Sequence, residues 1–477
     1  MGSWILIEHG QVIDGAGNPP RPDTSVLIRD GRIDRVGDAA SVAASIPEGR
    51  TVTRIDATGK TVMPGLVDAH CHMTYGESLA QEEMDLYTSH EMRTLIAASN
   101  LKKVLRAGVT SISQPGGSYY IGVALREGMK AGLLEGPRMA AAGRYLTTSN
   151  GLADGYPDSV GVPAGNIGIL TNTLPQMVDE IRHQVKNGVD FIKIADSPYG
   201  QWQAFSDDEL KAIADLSHQL RRRCTIHARG SAEVGAAVDA GFDWIMHGNL
   251  MTDEVIEKLA VSKIPLVPTL LLLANLADWG ELVGSPNNQR DGCRRMLEKT
   301  ADTLHRAHAA GVVLAVGTDS GFSVTPYGEW HAKELELLMV YAGMNELEAI
   351  QAGTKNAAIA TNEAGRVGEI AEDMLADVIV VNGDPSKNIR VLVDKRNIEV
   401  VIKAGEIVVF DEPDLEVRRG YREHVIAYAQ KPLTYDVVYG DGAPVGHEVM
   451  VRSVSDSKDL LGSLGQRELD AQAVVDA

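Results

Sequence analysis

The sequence predicts an α/β protein in which a (β/α)8 TIM barrel carries a small β-sandwich domain formed by both chain ends. Between residues 61 and 364, short β-branched runs alternate with long amphipathic helices, which is the pattern of a parallel sheet. Eight candidate strands over this length match the expected size of such a barrel. They are Thr61–Val67, Val109–Ser113, Arg138–Ala142, Phe191–Ile194, Cys224–Ala228, Trp244–His247, Leu266–Thr269 and Val313–Gly317. The clearest helical stretches are Glu77–Arg106, Leu174–Lys186, Asp207–Arg222, Ala232–Ala240, Asp253–Val261 and Arg294–Ala309.

The two ends of the chain have a different pattern. Residues 1–60 and 365–430 contain short β-branched runs separated by turn signals such as Asp30-Gly31. Neither segment is long enough to enclose a core alone, so we expect the two to pair into one β-sandwich domain. Residues 431–477 are predicted to be a C-terminal extension, with a charged, helix-like run at Asp456–Val475.

Composition narrows the range of partners and compartments. The 477 residues include 45 Lys and Arg against 65 Asp and Glu, a formal net charge of −20, which argues against nucleic acid or an anionic membrane as partner. Three cysteines are too few for a disulfide framework, and no secretory signal or membrane-spanning run is evident. We therefore expect a cytoplasmic protein that acts on a small-molecule substrate.

Side chains that can bind metal ions fall in or at the ends of several candidate barrel strands. In a barrel, the residues that follow the strands face the catalytic rim. The two histidines of the first strand are two residues apart, so both can point to the same side. The buried lysine of the fourth strand is expected to have a lowered pKa, and a neutral amine can react with carbon dioxide to give a carbamate that bridges two metal ions. The set is His70, His72, Lys193, His227, His247 and Asp319.

Each of these residues also has a purely structural interpretation. A His-x-His pair occurs often by chance, Lys193 can pair with an acidic neighbour, and Asp319 can cap a helix. A single histidine at a strand end is more often hydrogen-bonded than bound to a metal ion. The joint placement of all of them at one rim favours a metal site.

These residues lie in motifs that resemble the metal-dependent amidohydrolase superfamily. Within it, the chain is similar to the branch of imidazolonepropionase-like enzymes, dipeptidases and ochratoxin-degrading amidases. The resemblance extends from residue 4 to about residue 410. Its motifs are Pro-Gly-Leu-Val-Asp-Ala-His-Cys-His at 64–72, Ala-Gly-Val-Thr-Ser at 107–111, the strand ends at His227 and His247, Gly-Thr-Asp at 317–319, Thr-Lys-Asn-Ala-Ala at 354–358 and Ala-Asp-Val-Ile-Val at 376–380.

The resemblance implies a binuclear metal centre at the barrel mouth. His70, His72 and Asp319 would hold the more buried ion, His227 and His247 the second, and Lys193, carboxylated by CO2, would bridge them. Asp319 would act as general base and then as general acid, with hydrolysis through a hydroxide that bridges the metal ions. Zinc is the expected metal, while cobalt, manganese and iron also suit these ligands. Homo-oligomers are common in the family, so a homo-oligomer is expected.

Differences from the family patterns narrow the reaction. The triplet His227-Ala228-Arg229 lacks the glutamate of deaminases, and imidazolonepropionases lack the lysine found at Lys193. Both observations favour hydrolysis of an amide-type C–N bond, in an amide, carbamate or urea, of a small or xenobiotic molecule. The loops at 148–152 and 195–202 lack the glycine-rich motifs of dipeptidases, which disfavours a dipeptide.

Other functions remain open at this point. A dipeptidase or carboxypeptidase acting on Xaa-amino-acid substrates, a cyclic-amide hydrolase and a noncatalytic barrel scaffold are the alternatives. Two residues near the motifs receive no catalytic role. His331 is expected to be a surface residue, and Cys71 is expected to be a small buried side chain rather than a nucleophile.

Overall fold

A computed structural model of the chain describes residues 4–410 and 428–440. The predicted helix-like run Asp456–Val475 lies outside these residues. The strands, numbered in chain order, are β1 Trp4–Val12, β2 Arg21–Arg29, β3 Arg32–Gly37, β4 Thr53–Asp56, β5 Thr61–Pro64, β6 Leu66–Asp68, β7 Val109–Gln114, β8 Arg138–Ala141, β9 Tyr145–Thr147, β10 Gly168–Leu170, β11 Phe191–Ala195, β12 Arg223–Gly230, β13 Trp244–Leu250, β14 Leu266–Val267, β15 Val378–Val381, β16 Ile398–Lys403 and β17 Glu406–Ile407.

The α-helices lie mainly between the strands of the central part of the chain. They are α1 Ala39–Ala44, α2 His90–Arg106, α3 Ile121–Lys130, α4 Leu174–Lys186, α5 Asp207–Gln219, α6 Ser231–Ala240, α7 Asp253–Ser262, α8 Leu271–Trp279, α9 Asn287–Ala309, α10 Lys333–Ala342, α11 Glu346–Gln351 and α12 Tyr435–Tyr439. None of them, within the described ranges, has the length and apolar character needed to cross a bilayer.

The two chain ends meet in one mixed sheet. Its order is β17-β16-β15-β5-β1-β2-β3, and β4 pairs with β1. The joint between the ends is antiparallel, with Val378 opposite Pro64 and Val380 opposite Val62. One face of this sheet packs an apolar cluster that includes Ile5 and Ile402. The C-terminal strand β15 thus pairs with β5, which lies within the range predicted for the barrel, and β5 joins it to β1.

The central part of the chain forms two parallel sheets. One has the order β10-β9-β11-β12-β13-β14 and the other the order β6-β7-β8. At one pair of edges, Asp190 N donates to Ala141 O at 2.8 Å. At the other, residues 313–317 lie between the sheets: Ala69 N donates to Val316 O at 3.0 Å, and Ala315 N donates to Leu266 O at 2.9 Å. One apolar cluster draws on both sheets: Val67, Ala69, Ala140, Ala142, Phe191, Trp244, Met246, Val267, Ala315, Ala357 and Ala360. Helices connect most of these strands, which agrees with the predicted alternation of strands and helices.

Two of the predicted central strands differ from the observed ones. Thr61–Val67 is divided at Gly65 into β5, in the mixed sheet, and β6, in a parallel sheet. A Cβ at Gly65 would lie 2.3 Å from Thr110 Oγ1, so the chain crosses between the sheets where only glycine fits. Val313–Gly317 has a single β-bridge, from Leu314 to Leu266, because its backbone hydrogen bonds are shared among several neighbours.

The predicted helix Glu77–Arg106 is also too long. Only His90–Arg106 is α-helical, preceded by a π-helical turn at Glu83–Tyr87. Ser89 is extended and its hydroxyl accepts a hydrogen bond from Met92 N, so it caps the helix and fixes where it begins. Residues 77–85 are mostly buried and form a loop and the start of this turn rather than a continuous helix. This loop passes beside the candidate site.

Candidate active site

All six side chains predicted to bind metal ions line one cavity of about 780 Å³. The cavity lies at the carboxyl ends of the parallel strands. Each of the six residues is buried, with Asp319 the most exposed at 9%. The structure thus brings together residues that are up to about 250 positions apart in the sequence, as the barrel prediction requires.

Three of these side chains form the tightest part of the site. His70 Nε2 lies 3.0 Å from His72 Nε2. Asp319 Oδ1 lies 3.4 Å from His70 Nε2 and 3.2 Å from His72 Nε2. His72 Nδ1 lies 2.8 Å from the carbonyl oxygen of Gly116 and can donate to it, which leaves the lone pair of Nε2 directed at Asp319. Two imidazole nitrogens and a carboxylate oxygen therefore converge on one point.

The buried carboxylate of Asp68 positions this group. Its Oδ1 accepts hydrogen bonds from His70 N and Thr318 N, both at 3.0 Å. Its Oδ2 lies 2.5 Å from Thr318 Oγ1 and 2.7 Å from His331 Nδ1. Asp68 thus connects the segment that carries the two histidines to the segment that carries Asp319.

The prediction that His331 is a surface residue is wrong. Its side chain is 4% exposed, and its ring connects Asp68 to the backbone of Gly328, whose N lies 3.1 Å from His331 Nε2. The buried carboxylate of Asp68 needs hydrogen-bond donors, and a histidine that follows the neighbouring loop supplies one. Cys71 is fully buried, as predicted.

Lys193 projects from the middle of β11 into the same cavity and is 2% exposed. Its Nζ contacts Met246 Sδ, and no carboxylate of the described residues lies within 4 Å of it. Burial lowers the pKa of Lys193 to about 7, although the charge of Asp319 acts in the opposite direction. The acidic partner of the alternative interpretation is therefore not found among the described residues.

His227 and His247 extend from neighbouring strands. Their ring centroids are 4.3 Å apart, and the His247 ring is 5.3 Å from that of His70. In the ladder, His247 is opposite Ala228, so a regular strand would direct its side chain away from His227. A φ of 79° at His247 reverses this direction. His247 Nδ1 lies 2.5 Å from Thr269 Oγ1, which fixes the orientation of the ring.

Strained backbone conformations occur at this site. His247, Thr269 and Asp319 all have positive φ, with values of 79°, 54° and 55°. Such values are uncommon for residues other than glycine, and for a β-branched threonine they are true outliers. Strained residues persist where the surrounding structure holds them, and they cluster at functional sites.

The electrostatics of the cavity suit metal ligands. Burial lowers the pKa values of His70, His227 and His247 well below the ordinary value, so the imidazoles are neutral, the form that binds metals. Burial alone would raise the pKa of Asp319, but His70, His72 and Arg229 outweigh it and hold this pKa below the ordinary value. The ligand atoms of His70, His247 and Asp319 lie within 4.8 Å of one another.

Two buried nitrogens of the site have no hydrogen-bond partner in the described part of the chain. They are His70 Nδ1 and His227 Nε2. Buried polar groups are almost always paired, and a group that lacks a protein partner points to an unseen ion or water. Together with the neutral imidazoles and the unpaired amine of Lys193, this donor set fits divalent metal ions.

Sequence reasoning missed several residues of the cavity wall. Arg229, two residues after His227, lines the cavity, whereas the sequence analysis uses this position only to show that the glutamate of deaminases is missing. Tyr428, from the segment 428–440, also lines the cavity, and its hydroxyl donates to Gln81 Oε1. This segment packs on the loops around the site, with Leu433 N donating to Ser323 O at 2.8 Å. Spacing on the strand could have identified Arg229, but no sequence signal indicated Tyr428.

Comparisons with known proteins agree with this architecture. The model of the amidohydrolase family matches residues 61–408. Ochratoxinase from Aspergillus niger is 27% identical over 434 residues, which cover 84% of this chain and 86% of that protein. Imidazolonepropionase from Symbiobacterium thermophilum is 24% identical over 439 residues, 85% of this chain and 97% of that protein. A solved Xaa-Pro dipeptidase with methionine in its active site is 28% identical with a TM-score of 0.74, covering 85% of this chain and 100% of that one.

Fold and relatives together define a hydrolytic enzyme of mixed α/β structure whose fold neighbours are of the TIM-barrel type. The chain belongs to the amidohydrolase family. The resemblance predicted from the sequence motifs is thereby confirmed, including the branch that contains ochratoxinase, imidazolonepropionase and dipeptidases.

Proposed function

We propose that this protein is a binuclear metal-dependent hydrolase that cleaves an amide-type C–N bond of a small or xenobiotic molecule. The observation that carries the proposal is the convergence of His70, His72, Lys193, His227, His247 and Asp319 in one cavity. Two divalent ions, with zinc the expected metal, would generate a nucleophile from water near neutral pH and polarise the scissile carbonyl.

Each ligand has a role that its geometry supports. His70, His72 and Asp319 hold the more buried ion, and their atoms already lie 3.0–3.4 Å apart. His227 and His247 hold the second ion. The neutral amine of Lys193 can add to the carbon of CO2, forming an N–C bond and losing a proton, and the resulting carbamate would supply oxygen ligands for the ions. The absence of a competing carboxylate within 4 Å of Lys193, among the described residues, supports this step.

Asp319 moves the proton in this proposal. Its carboxylate is ionised at neutral pH, since its neighbours hold its pKa low. It can therefore accept a proton from the attacking water and deliver it to the leaving nitrogen. Nitrogen leaving groups need this proton because an unprotonated amide anion is a very poor leaving group. Asp68, through its hydrogen bonds to His70 N and Thr318 N, keeps Asp319 close to the histidines.

The same proposal extends to the architecture. The hydrogen bonds between the two parallel sheets, together with the bridge from Leu266 to Leu314, support closure into one (β/α)8 barrel over residues 61–364. The mixed sheet supports a separate β domain from residues 1–60 and 365–430, with 431–477 as an extension. A homo-oligomer and a cytoplasmic location stay predictions.

A second candidate function is hydrolysis of Xaa-amino-acid dipeptides. It is favoured by the 28% identity with the Xaa-Pro dipeptidase. The two functions differ in the nitrogen-containing product that is released. A panel of N-acyl aromatic amides, carbamates, phenylureas and dipeptides therefore distinguishes them. Activity confined to dipeptides would reverse our order.

Metal analysis tests the proposal directly. Protein purified without chelator is expected to contain about two divalent ions per chain, as in other binuclear hydrolases. His227→Asn is expected to lower both the metal content and the hydrolysis of the best panel substrate. His183→Asn, on an exposed face of α4, is the matched control and should change neither. Well under one ion per chain in folded protein, without hydrolysis of any panel member, would contradict the proposal.

A further inference from the structure

A second group of metal-ligating side chains lies at the amino ends of the parallel strands, away from the cavity. It consists of His218 in the last turn of α5, Cys224 near the start of β12 and Asp243 immediately before β13. A nitrogen, the sulfur and a carboxylate oxygen of these side chains all lie within 4.8 Å of one another. None of the three side chains lines the cavity, and Cys224 precedes His227 by about 10 Å of strand. This group is therefore separate from the candidate active site.

The backbone fixes the three side chains next to one another. A tight turn at residues 220–222 leads from α5 to β12, with a positive φ of 57° at Arg221 and a hydrogen bond from Arg221 N to His218 O at 2.9 Å. Asp243 N donates to Cys224 O at 3.0 Å, and Cys224 N donates to Asp243 Oδ2 at 2.8 Å. The carboxylate is thus held beside the thiol, and the turn places the imidazole above both.

One nitrogen of His218 faces both of the other side chains. His218 Nε2 lies 2.9 Å from Asp243 Oδ2 and 3.9 Å from Cys224 Sγ. In a catalytic triad the two ring nitrogens serve different partners, so this arrangement is not that of an activated thiol nucleophile. Bond lengths of about 2.0–2.3 Å place the ligand atoms of a tetrahedral zinc ion about 3.3–3.6 Å apart. The two observed distances differ from this range by less than half an ångström.

The group is open to solvent on one side. Cys224 is fully buried, whereas the side chains of His218 and Asp243 are 43% and 28% exposed. An ion can therefore approach between the imidazole and the carboxylate and meet the sulfur on the inner side. The charge of Arg223 does not occupy this position, because successive side chains of a strand point to opposite sides and Arg223 contacts the Trp244 ring.

We propose that His218, Cys224 and Asp243 bind a zinc-type ion, with water as the fourth ligand, at a site separate from the binuclear centre. On binding, the S–H bond of Cys224 breaks, its proton passes to solvent and a sulfur–metal bond forms. Thiolate and imidazole favour zinc or cobalt, whereas magnesium and calcium prefer oxygen ligands. The ion links the end of α5 to the starts of β12 and β13. This inference does not depend on the proposed function.

Cobalt(II) tests the proposal, because a thiolate bound to cobalt gives a sulfur-to-metal charge-transfer absorption in the near ultraviolet. The ligands proposed for the binuclear centre contain no sulfur, so cobalt bound there gives no such band. With three protein ligands, two of them partly exposed, the new site is expected to bind more weakly than that centre, so metal is added. Metal-depleted protein titrated with Co²⁺ without oxygen should bind about one thiolate-ligated ion per chain. No charge-transfer band at saturating cobalt, in protein that circular dichroism shows to be folded, would overturn the proposal.

A histidine variant assigns the band to this group. His218→Asn should weaken cobalt binding at the site at least about 10-fold, since even the loss of a residue that only supports a metal ligand costs that much. The fold should be retained because this side chain is partly exposed. His183→Asn, at an exposed histidine of α4 that also lies beside an acidic residue, is the matched control and should leave the band unchanged. Equal cobalt affinity in His218→Asn and His183→Asn would contradict the proposal.

Cysteine variants identify the sulfur. Cys224→Ser should abolish the band, whereas Cys293→Ser, which changes a thiol of the cavity wall, should retain it. A band that persists in folded Cys224→Ser, or that disappears in Cys293→Ser, would place the cobalt at another thiol and overturn the proposal. If Cys224→Ser does not fold, the comparison of the two histidine variants decides.

His227→Asn separates this inference from the proposed function. It removes a proposed ligand of the binuclear centre and none of the three residues at the amino ends, so hydrolysis should fall while the cobalt–thiolate band remains. An inactive wild-type protein that shows the band would support the new site and count against the proposed hydrolysis. An active enzyme without the band would support the hydrolase and overturn the new site.

Discussion

Two arginines on the same strand, Arg223 and Arg229, show how the two ends of the parallel sheet differ. Both lie on β12, and their spacing of six residues places them on the same side of the strand. Arg223, at the amino end, donates to the carbonyl oxygens of Ile359 and Thr361 and packs against the Trp244 ring at 5.1 Å. Arg229, at the carboxyl end, has a single neutral acceptor among the described residues.

The same contrast extends to the neighbouring strands. At the amino ends, Arg138 pairs with Asp377, and Asp190 pairs with Arg126. Facing the cavity, Lys193 in the middle of β11 and Arg229 at the carboxyl end of β12 carry no ion pair within the described ranges. Polar groups that have hydrogen-bond or ion-pair partners contribute to the stability of the fold. Buried polar groups without such partners are costly unless a ligand pairs with them. The difference therefore identifies which end of the sheet is built to bind a substrate.

The largest expected effect is at Lys193. If its amine forms the bridging carbamate, Lys193→Ala should lower kcat/KM by about 10³-fold or more, because the metal centre loses a ligand that links both ions. The fold should be retained, since this side chain has no ion pair in the described part of the chain to lose. Kinetics on the best panel substrate, with metal content and circular dichroism, check this expectation.

Lys211→Ala is the matched control for this substitution. Lys211 lies on α5, more than half exposed, and pairs with Asp215. Its loss should leave kcat/KM within about twofold, as is usual for an exposed ion pair. Nearly full activity and two bound ions in Lys193→Ala would refute the carbamate and leave the four histidines and Asp319 as the complete ligand set.

A smaller effect of a different kind is expected at Arg223. Arg223→Gln removes charge-assisted hydrogen bonds to two carbonyl oxygens and the contact with Trp244, so it should lower the free energy of unfolding by about 2 kcal/mol. The kcat/KM for the best panel substrate should not change, because this end of β12 does not line the cavity. Chemical denaturation measures the stability, and kinetics on the best panel substrate measure the activity.

Arg221→Gln supplies the reference for that experiment, since Arg221 is exposed and lies two residues away. It should change stability by less than about 0.5 kcal/mol. The comparison of the two ends would fail if Arg223→Gln lowered kcat/KM for that substrate as strongly as Arg229→Gln, because both ends would then act on the ligand.

The sequence predicted which of these side chains share one cavity, because their positions follow from strand periodicity. His70, His72, Lys193, His227 and Asp319 lie in or after predicted strands, and all face one cavity. The rule that catalytic residues follow barrel strands is local and can be read from the chain.

The position of His247 at a strand end explains only in part why its side chain reaches the cavity. Its register on β13 would direct it to the other side of the sheet, and its side chain reaches the cavity because its φ is positive. A left-handed backbone at a histidine leaves no sequence signal except the glycine that follows, Gly248. The burial of His331 depends in the same way on a tertiary partner, Asp68, far away in the sequence.

The cavity wall was the least predictable part because distant segments build it. Tyr428 comes from a region expected to belong to the β domain. Its ring contacts Phe322, with centroids 4.8 Å apart, Phe322 contacts Tyr75, and Tyr75 stacks on His72 at 4.2 Å. Aromatic residues in a weakly patterned segment indicate packing of some kind, but their target is set by the tertiary fold.

The smallest predicted effect is at Tyr428. It tests whether segment 428–440 contributes to substrate binding or only packs on the loops around the site. Tyr428→Phe keeps the ring contact with Phe322 and removes the hydrogen bond to Gln81, which itself donates to Asp85 in the cavity wall. Loss of one hydrogen bond is worth about 1 kcal/mol, so KM for the best panel substrate should rise about fivefold with little change in kcat. Tyr439→Phe makes the same change in the same segment at a ring that packs on Trp279, outside the cavity, and should leave KM unchanged. Equal changes of KM in both variants would mean that the segment acts through protein stability alone. The carboxyl ends of the strands would then bind the substrate without a contribution from segment 428–440.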